Sequence, residues 1–386
     1  MHILFVTYNH LDSNSGVHIF NLASQLTRQG IHVTVCVPNG KEKSSAVGIP
    51  NFETIDFSDI QYQRWSGAIE NKGPIDIIHA WTPREGVRRM VTRLSEELNC
   101  PYIVHMEDNE EAIVVANTKL SMPELEQMSE AQLDEVVGQG MSYPRQYREF
   151  IRHARGVTAV IDKLLEFKPQ DIPALVFWPG YEEDLKWSDP PDSHLRNQLG
   201  ITNHDYVLVY TGNVHAANVK EVFSLYLAVG LLNRRGTPVK LIRTGGDYVP
   251  LIDESYKIIR RFCINLGHVP RQKLPQVVGL ADVLVQPGKA DEFNEYRFPS
   301  KIPEYLASGR PVLLPPANIG KYLENDKECI LLQTGNALEI TRKLEDLLPN
   351  KNLQREIGLR GKEFAHKNLR WEINADKLRT FYEQIL

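Results

Sequence analysis

The chain has 386 residues, 42% hydrophobic and 24% charged, the proportions of a globular protein with length for two or three domains and large cores. Disordered, collagen-like and coiled-coil chains are excluded. Lys and Arg number 44 against 49 Asp and Glu, a net charge of −5, so no overall basic field exists and nucleic acid is not an expected partner.

Residues 3–8 are a short apolar run, too short for a signal peptide and lacking a basic lead and a small-residue cleavage site. After a polar loop ending at Gly16, the residues Ile19, Leu22, Ala23 and Leu26 fall on one face of a helix that Gly30 stops, and 32–38 reads as the next strand. Further apolar runs at 76–81, 102–106, 157–161 and 175–178 predict strands. Pro169, Pro173, Pro179, Pro190 and Pro191 then punctuate a polar stretch, placing a boundary near 180–198. The same order restarts at 207–210, with a loop through Gly212 and Asn213, a helix marked by Val222, Leu225, Tyr226 and Val229, and a strand at 239–243. Runs at 264–268, 282–287, 311–315 and 329–332 continue it, and Trp371 to Leu386 reads as an amphipathic helix.

Continuous apolar strands alternating with helices imply parallel sheets covered on both faces, so the expected class is α/β with two Rossmann-like domains. Ligands of such sheets lie beyond the carboxyl ends of the strands, and two facing sheets would enclose a cleft. Neither half carries G-x-G-x-x-G after its first strand, which disfavours a dinucleotide oxidoreductase. Cys36, Cys100, Cys263 and Cys329 are far apart and have no histidine at metal-ligand spacing, which fits a reducing compartment and no metal site. No run approaches the length needed to span a bilayer, so a cytoplasmic protein is expected, with peripheral attachment at the inner membrane surface left open.

Residues 281–316 are the most informative stretch. A buried strand at 282–287 leads through a polar loop to a short helix beginning near Pro299 and ending near Gly309. Arg297 and Lys301 place two cations at this helix start, where free amide groups already favour phosphate, and Glu304 lies one turn on, able to accept hydrogen bonds from a ribose diol.

The run Arg-Phe-Pro-Ser-Lys-x-x-Glu-Tyr-x-Ala-x-Gly-x-Pro-Val resembles the donor motif of GT-B glycosyltransferases of the retaining family 4, or group 1. YTGNVHAAN at 210–218, INLGHVPRQKLPQVVGLADVLVQP at 264–287, GIHVTVCVP at 30–38 and FWPGYEEDL at 177–185 resemble further markers of that family in the expected order. The resemblance implies an acceptor-binding domain at 1–180, a donor-binding domain at 199–368, and a helix at 369–386 crossing back to the first domain. It implies transfer of a sugar from a nucleotide-diphosphate sugar, the co-substrate in place of any cofactor, to a glycan, lipid-linked or small-molecule acceptor, without a metal and with retention.

Carried over residue by residue, His105, Arg297 and Lys301 take the catalytic roles. Gly16, Gly212, Asn213, His268, Val269, Asn294, Glu295, Ser300, Lys301 and Glu304 bind the donor, while His18, Glu107 and Asp108 bind the acceptor. Glu304 matches the second glutamate of the family's E-x7-E motif, but Tyr296 stands where the first would be, with Asn294 and Glu295 as substitutes. Gly16 would permit close approach of phosphate or acceptor. From Glu107 to Glu135 there are nine acids and one lysine, read as a solvated helical insertion that shapes acceptor choice. Arg84, Arg88, Arg89 and Arg93 form either a solvated helix or a basic face for a membrane. A nucleotide-sugar epimerase and a non-catalytic nucleotide-sugar-binding relative are the alternatives.

Overall fold

The computed structural model describes residues 1–38, 48–61, 73–251 and 257–386. They form two compact units: Met1–Gly180 with Tyr296–Phe298 and Trp371–Leu386, and Tyr181–Glu295 with Pro299–Arg370.

The first unit is built on strands β1 (His2–Thr7), β2 (His32–Val37), β3 (Glu53–Asp56), β4 (Ile77–Trp81), β5 (Tyr102–Met106), β6 (Gly156–Ala159) and β7 (Ala174–Val176). All pairs are parallel and the order is β3-β2-β1-β4-β5-β6-β7. Every residue of β1 is buried, as a run apolar on both faces requires. Alternation splits the core in two: Leu4, Val6, Ile78 and Val104 lie in one cluster, and Ile3, Phe5, Ile77 and Ile103 in the other. The second cluster is closed by α1 (Asn14–Arg28), whose N-terminus Ser13 caps by accepting from the Gly16 amide at 3.0 Å, and by the C-terminal helix Trp371–Ile385.

The second unit repeats the plan with β8 (Tyr206–Thr211), β9 (Val239–Thr244), β10 (Cys263–Asn265), β11 (Val283–Val285), β12 (Val312–Leu314) and β13 (Ile330–Leu331), in the order β10-β9-β8-β11-β12-β13. In both sheets the order reverses beside the first strand, at β1/β4 and at β8/β11, which leaves a crevice at the carboxyl ends of those strands. The two Rossmann-like units expected from the sequence are present.

Two features differ from the sequence reading. Strand β3 is absent from it because Glu53-Thr54-Ile55-Asp56 holds a single large apolar residue at an edge. The acidic stretch is not a solvated insertion: its helices Glu110–Thr118, Met122–Glu126 and Glu130–Val136 enclose an apolar cluster of Val114, Leu125, Leu133, Val137 and Tyr143.

Two glycines seat the C-terminal helix. A Cβ on Gly156 would lie 2.9 Å from the Phe381 ring, and one on Gly180 would lie 2.8 Å from the Trp371 amide nitrogen and 2.9 Å from its Cγ. Gly180→Ala is expected to lower stability by about 1–3 kcal/mol in urea titrations. Gly86→Ala, whose added carbon would meet nothing nearer than 3.5 Å, is expected to cause no loss.

Candidate active site

In the second unit polar side chains meet at the β8/β11 switch point. Lys301 reaches it from the loop before the short helix Ile302–Ala307 and donates to Gln286 Oε1, just past β11, at 3.0 Å. Its Nζ lies 5.0 Å above the Tyr210 ring and its Cε and Nζ would be 3.2 and 3.3 Å from a Cβ on Gly212, so a bare glycine at the end of β8 makes room for the ammonium group. Tyr305 fixes the helix to that strand by accepting from the Thr211 amide at 2.7 Å.

Glu304 projects from the same helix and is largely buried; burial pushes its carboxyl up, while Arg271 opposes the rise. Arg271 donates to Glu304 at 2.7 Å and to Glu182 at 2.6 Å. His268 is exposed and Val269 half-buried in the loop that leads to Arg271. Asn213 braces neighbouring loops by accepting from the Gly246 amide at 2.8 Å, and Ser300 is exposed.

The remaining donor-side residues already have partners. Asn294 is fully buried and donates to Glu221 at 2.7 Å, and Glu295 pairs with Lys321. Tyr296 and Arg297 fall within the first unit: the Tyr296 hydroxyl donates to Glu166, and the Arg297 charge acts on Asp108.

In the first unit two acids, Glu107 and Asp108, follow β5. Glu107, directly after β5, accepts from the Ser15 hydroxyl, from His18 Nδ1 at 3.0 Å and from Trp81 Nε1 at 2.9 Å. Burial alone would raise its pKa, but His18 above all, with His105 and Ser15, outweighs it and holds the group at about 2. Asp108 is pushed up to about 7 by burial and by Glu110 and Glu107, against the pull of Arg84 and Arg297. Arg84 lies 4.0 Å above the Tyr8 ring and pairs with Glu110 at 3.4 Å.

His105 occupies a different place. It is fully buried, stacked on Trp81 at 3.9 Å and near Phe177 at 5.2 Å, with Nδ1 on the Thr158 hydroxyl at 2.7 Å. Burial drives its pKa down to about 3, so the ring is neutral. His79 beside it is likewise held neutral, bridging the Tyr382 hydroxyl at 2.7 Å and Thr158 at 3.0 Å. The position directly past the strand end belongs to Glu107. Gly16 also has a local role: a Cβ there would lie 2.5 Å from Leu11 Cα, so the close approach it permits is to the chain's own loop.

Ser15, Trp81, Arg84, Glu182, Arg271 and Gln286 were not legible as site residues. Thr82 is another: it follows β4 with φ +73, is 1% exposed, and its hydroxyl has no hydrogen-bond partner among the described residues. A β-branched residue in that conformation costs about 1–3 kcal/mol. The arginine row is no free basic face, because Arg84 pairs with Glu110, Arg88 with Glu85, Arg89 with Glu85 and Asp134, and Arg93 with Glu97. Among the described residues no helix is long and apolar enough to cross a membrane.

Residues 205–350 match the family model of glycosyl transferases group 1. The match falls almost wholly within the second unit. Across its length the chain also has the fold of solved glycosyltransferases. Sucrose-phosphate synthase from Thermosynechococcus elongatus superposes with TM-score 0.69 at 15% identity, covering 100% of this chain and 99% of that one. Anabaena HepE in complex with UDP and glucose gives 0.67 at 15%, covering both chains fully at 100%. WaaG, a glycosyltransferase involved in lipopolysaccharide biosynthesis, gives 0.61 at 16%, covering 97% and 98%. No curated protein matches the chain in sequence.

Asp108 makes the stability of the fold depend on pH. Between pH 4.5 and 6.5 the folded state keeps Asp108 protonated, with a pKa of about 7 against an ordinary 3.8, so this group favours the folded state increasingly as pH falls. His79 and His105 act in the opposite sense, since they stay neutral when folded and take up protons when unfolded below about pH 6.5. Asp108→Asn is therefore expected to steepen acid destabilisation by about one proton, roughly 1.4 kcal/mol per pH unit in this window, measured as the unfolding free energy against pH.

Proposed function

We propose that the chain transfers a sugar from a nucleotide-diphosphate sugar to a hydroxyl of a glycan, lipid-linked or small-molecule acceptor, without a metal and with retention. The observation that carries this reading is the pairing of Lys301 at the β8/β11 switch point with an Arg271-held Glu304 one turn further on, inside the segment that matches the family. The complex of HepE with UDP and glucose makes a uridine donor the first to test.

In this reading Glu304 accepts from the ribose diol, with Arg271 fixing one carboxylate oxygen. Lys301 meets the negative charge that grows on the departing diphosphate while the sugar passes through an oxocarbenium-like state. Preformed charge of this kind is the largest help available, since it needs no reorganisation as the bond breaks. The acceptor hydroxyl is bound from the first unit by Glu107 and Asp108, with His18 holding Glu107 in place.

Incubation of the protein with labelled UDP-sugars and a panel of acceptors tests the reading. Lys301→Ala is expected to lower kcat/KM by about 10²–10³, the usual cost of one such donor. Arg271→Ala is expected to raise the donor KM, with a smaller change in kcat. Wild-type turnover in both Lys301→Ala and Glu304→Ala would refute the site. Conversion of the donor to an epimer without acceptor would replace transfer by epimerisation, and nucleotide-sugar binding without turnover would leave a binding protein.

A further inference from the structure

The C-terminal helix touches the acidic site of its own unit. Trp371, its first residue, is 3% exposed and packs its indole 5.5 Å from the His18 imidazole at an interplanar angle of 45°. His18 in turn holds Glu107 through Nδ1 at 3.0 Å. An imidazole turns easily about its last torsion, and only one orientation presents Nδ1 to that carboxylate. A large flat group lying against the ring restricts this turn.

Trp371 is itself held in place. Gly180 has no side chain where Trp371 lies, and Asn374, one turn on, donates to the Trp178 carbonyl at 2.6 Å. At the far end of the helix, Tyr382 contacts His79, which leads through Thr158 to His105. The helix is thus keyed into the polar residues of the first unit at both ends.

We propose that Trp371 is a positioning residue for acceptor use, acting through His18 to keep Glu107 aligned. This rests on the reading of Glu107 and Asp108 as the acceptor site. It assigns a role in that site to a residue far outside the donor motif.

A double-mutant cycle with Trp371→Phe and His18→Asn tests it, with folding checked by thermal melts. Trp371→Phe keeps an aromatic ring in the slot but removes part of the indole from His18, and is expected to raise the acceptor KM about twofold to fivefold, part of what an aromatic pair contributes, while the donor KM stays at its wild-type value. In the His18→Asn background the same change is expected to add nothing, because the residue through which it acts is gone. Equal fold-changes in both backgrounds, or a wild-type acceptor KM in Trp371→Phe, would overturn the inference. If His18→Asn and Glu107→Gln both leave acceptor kinetics unchanged, the acceptor-site reading falls first and the inference with it. Impaired single variants with additive effects would remove the inference alone.

Discussion

Glu107 is the residue on which the first unit's site depends. A carboxylate removed from water costs several kcal/mol unless donors replace its hydration, and here a hydroxyl, an imidazole and an indole do so. They come from two elements: Ser15 and His18 from α1, Trp81 from β4. Their alignment requires Gly16 to pack against the chain's own loop and Ser13 to cap the helix that carries them. A parallel sheet apolar on both faces has room for such a group only past its strand ends, where the order reverses.

The two units use this common geometry with different charged groups. The second places a lysine over a bare glycine and an arginine against a buried glutamate. The first gathers Glu107, Asp108 and Glu110, with Arg84 among them. On the proposed reading, these two environments take an anionic donor and a hydroxyl-bearing acceptor respectively. The arginines of Glu85–Leu98 and the acids of 110–135 also answer one another, as in Arg89 with Asp134, so surface charges that look opposed in the sequence largely cancel in the fold.

Much of the fold was legible because apolar runs and glycine stops repeat in both halves, and Lys301 and Glu304 were legible because they sit in one short motif. Arg271 and Glu182 were not, since their meeting with Glu304 joins residues distant in sequence. His105 shows a different limit. Alternation along β5 puts it on the same face as Ile103, toward the second core cluster, whereas the resemblance drew attention to it as a histidine near a strand end. Thr82 could not have been found at all: a residue before proline is expected to be extended, and this one has φ +73.

The division of labour between the units is measured most directly by hydrogen–deuterium exchange with and without uridine diphosphate. The account predicts slowed exchange in residues 211–213 and 300–305, with residues 105–111 unchanged. Protection confined to 105–111, or none anywhere at saturating nucleotide, would contradict it.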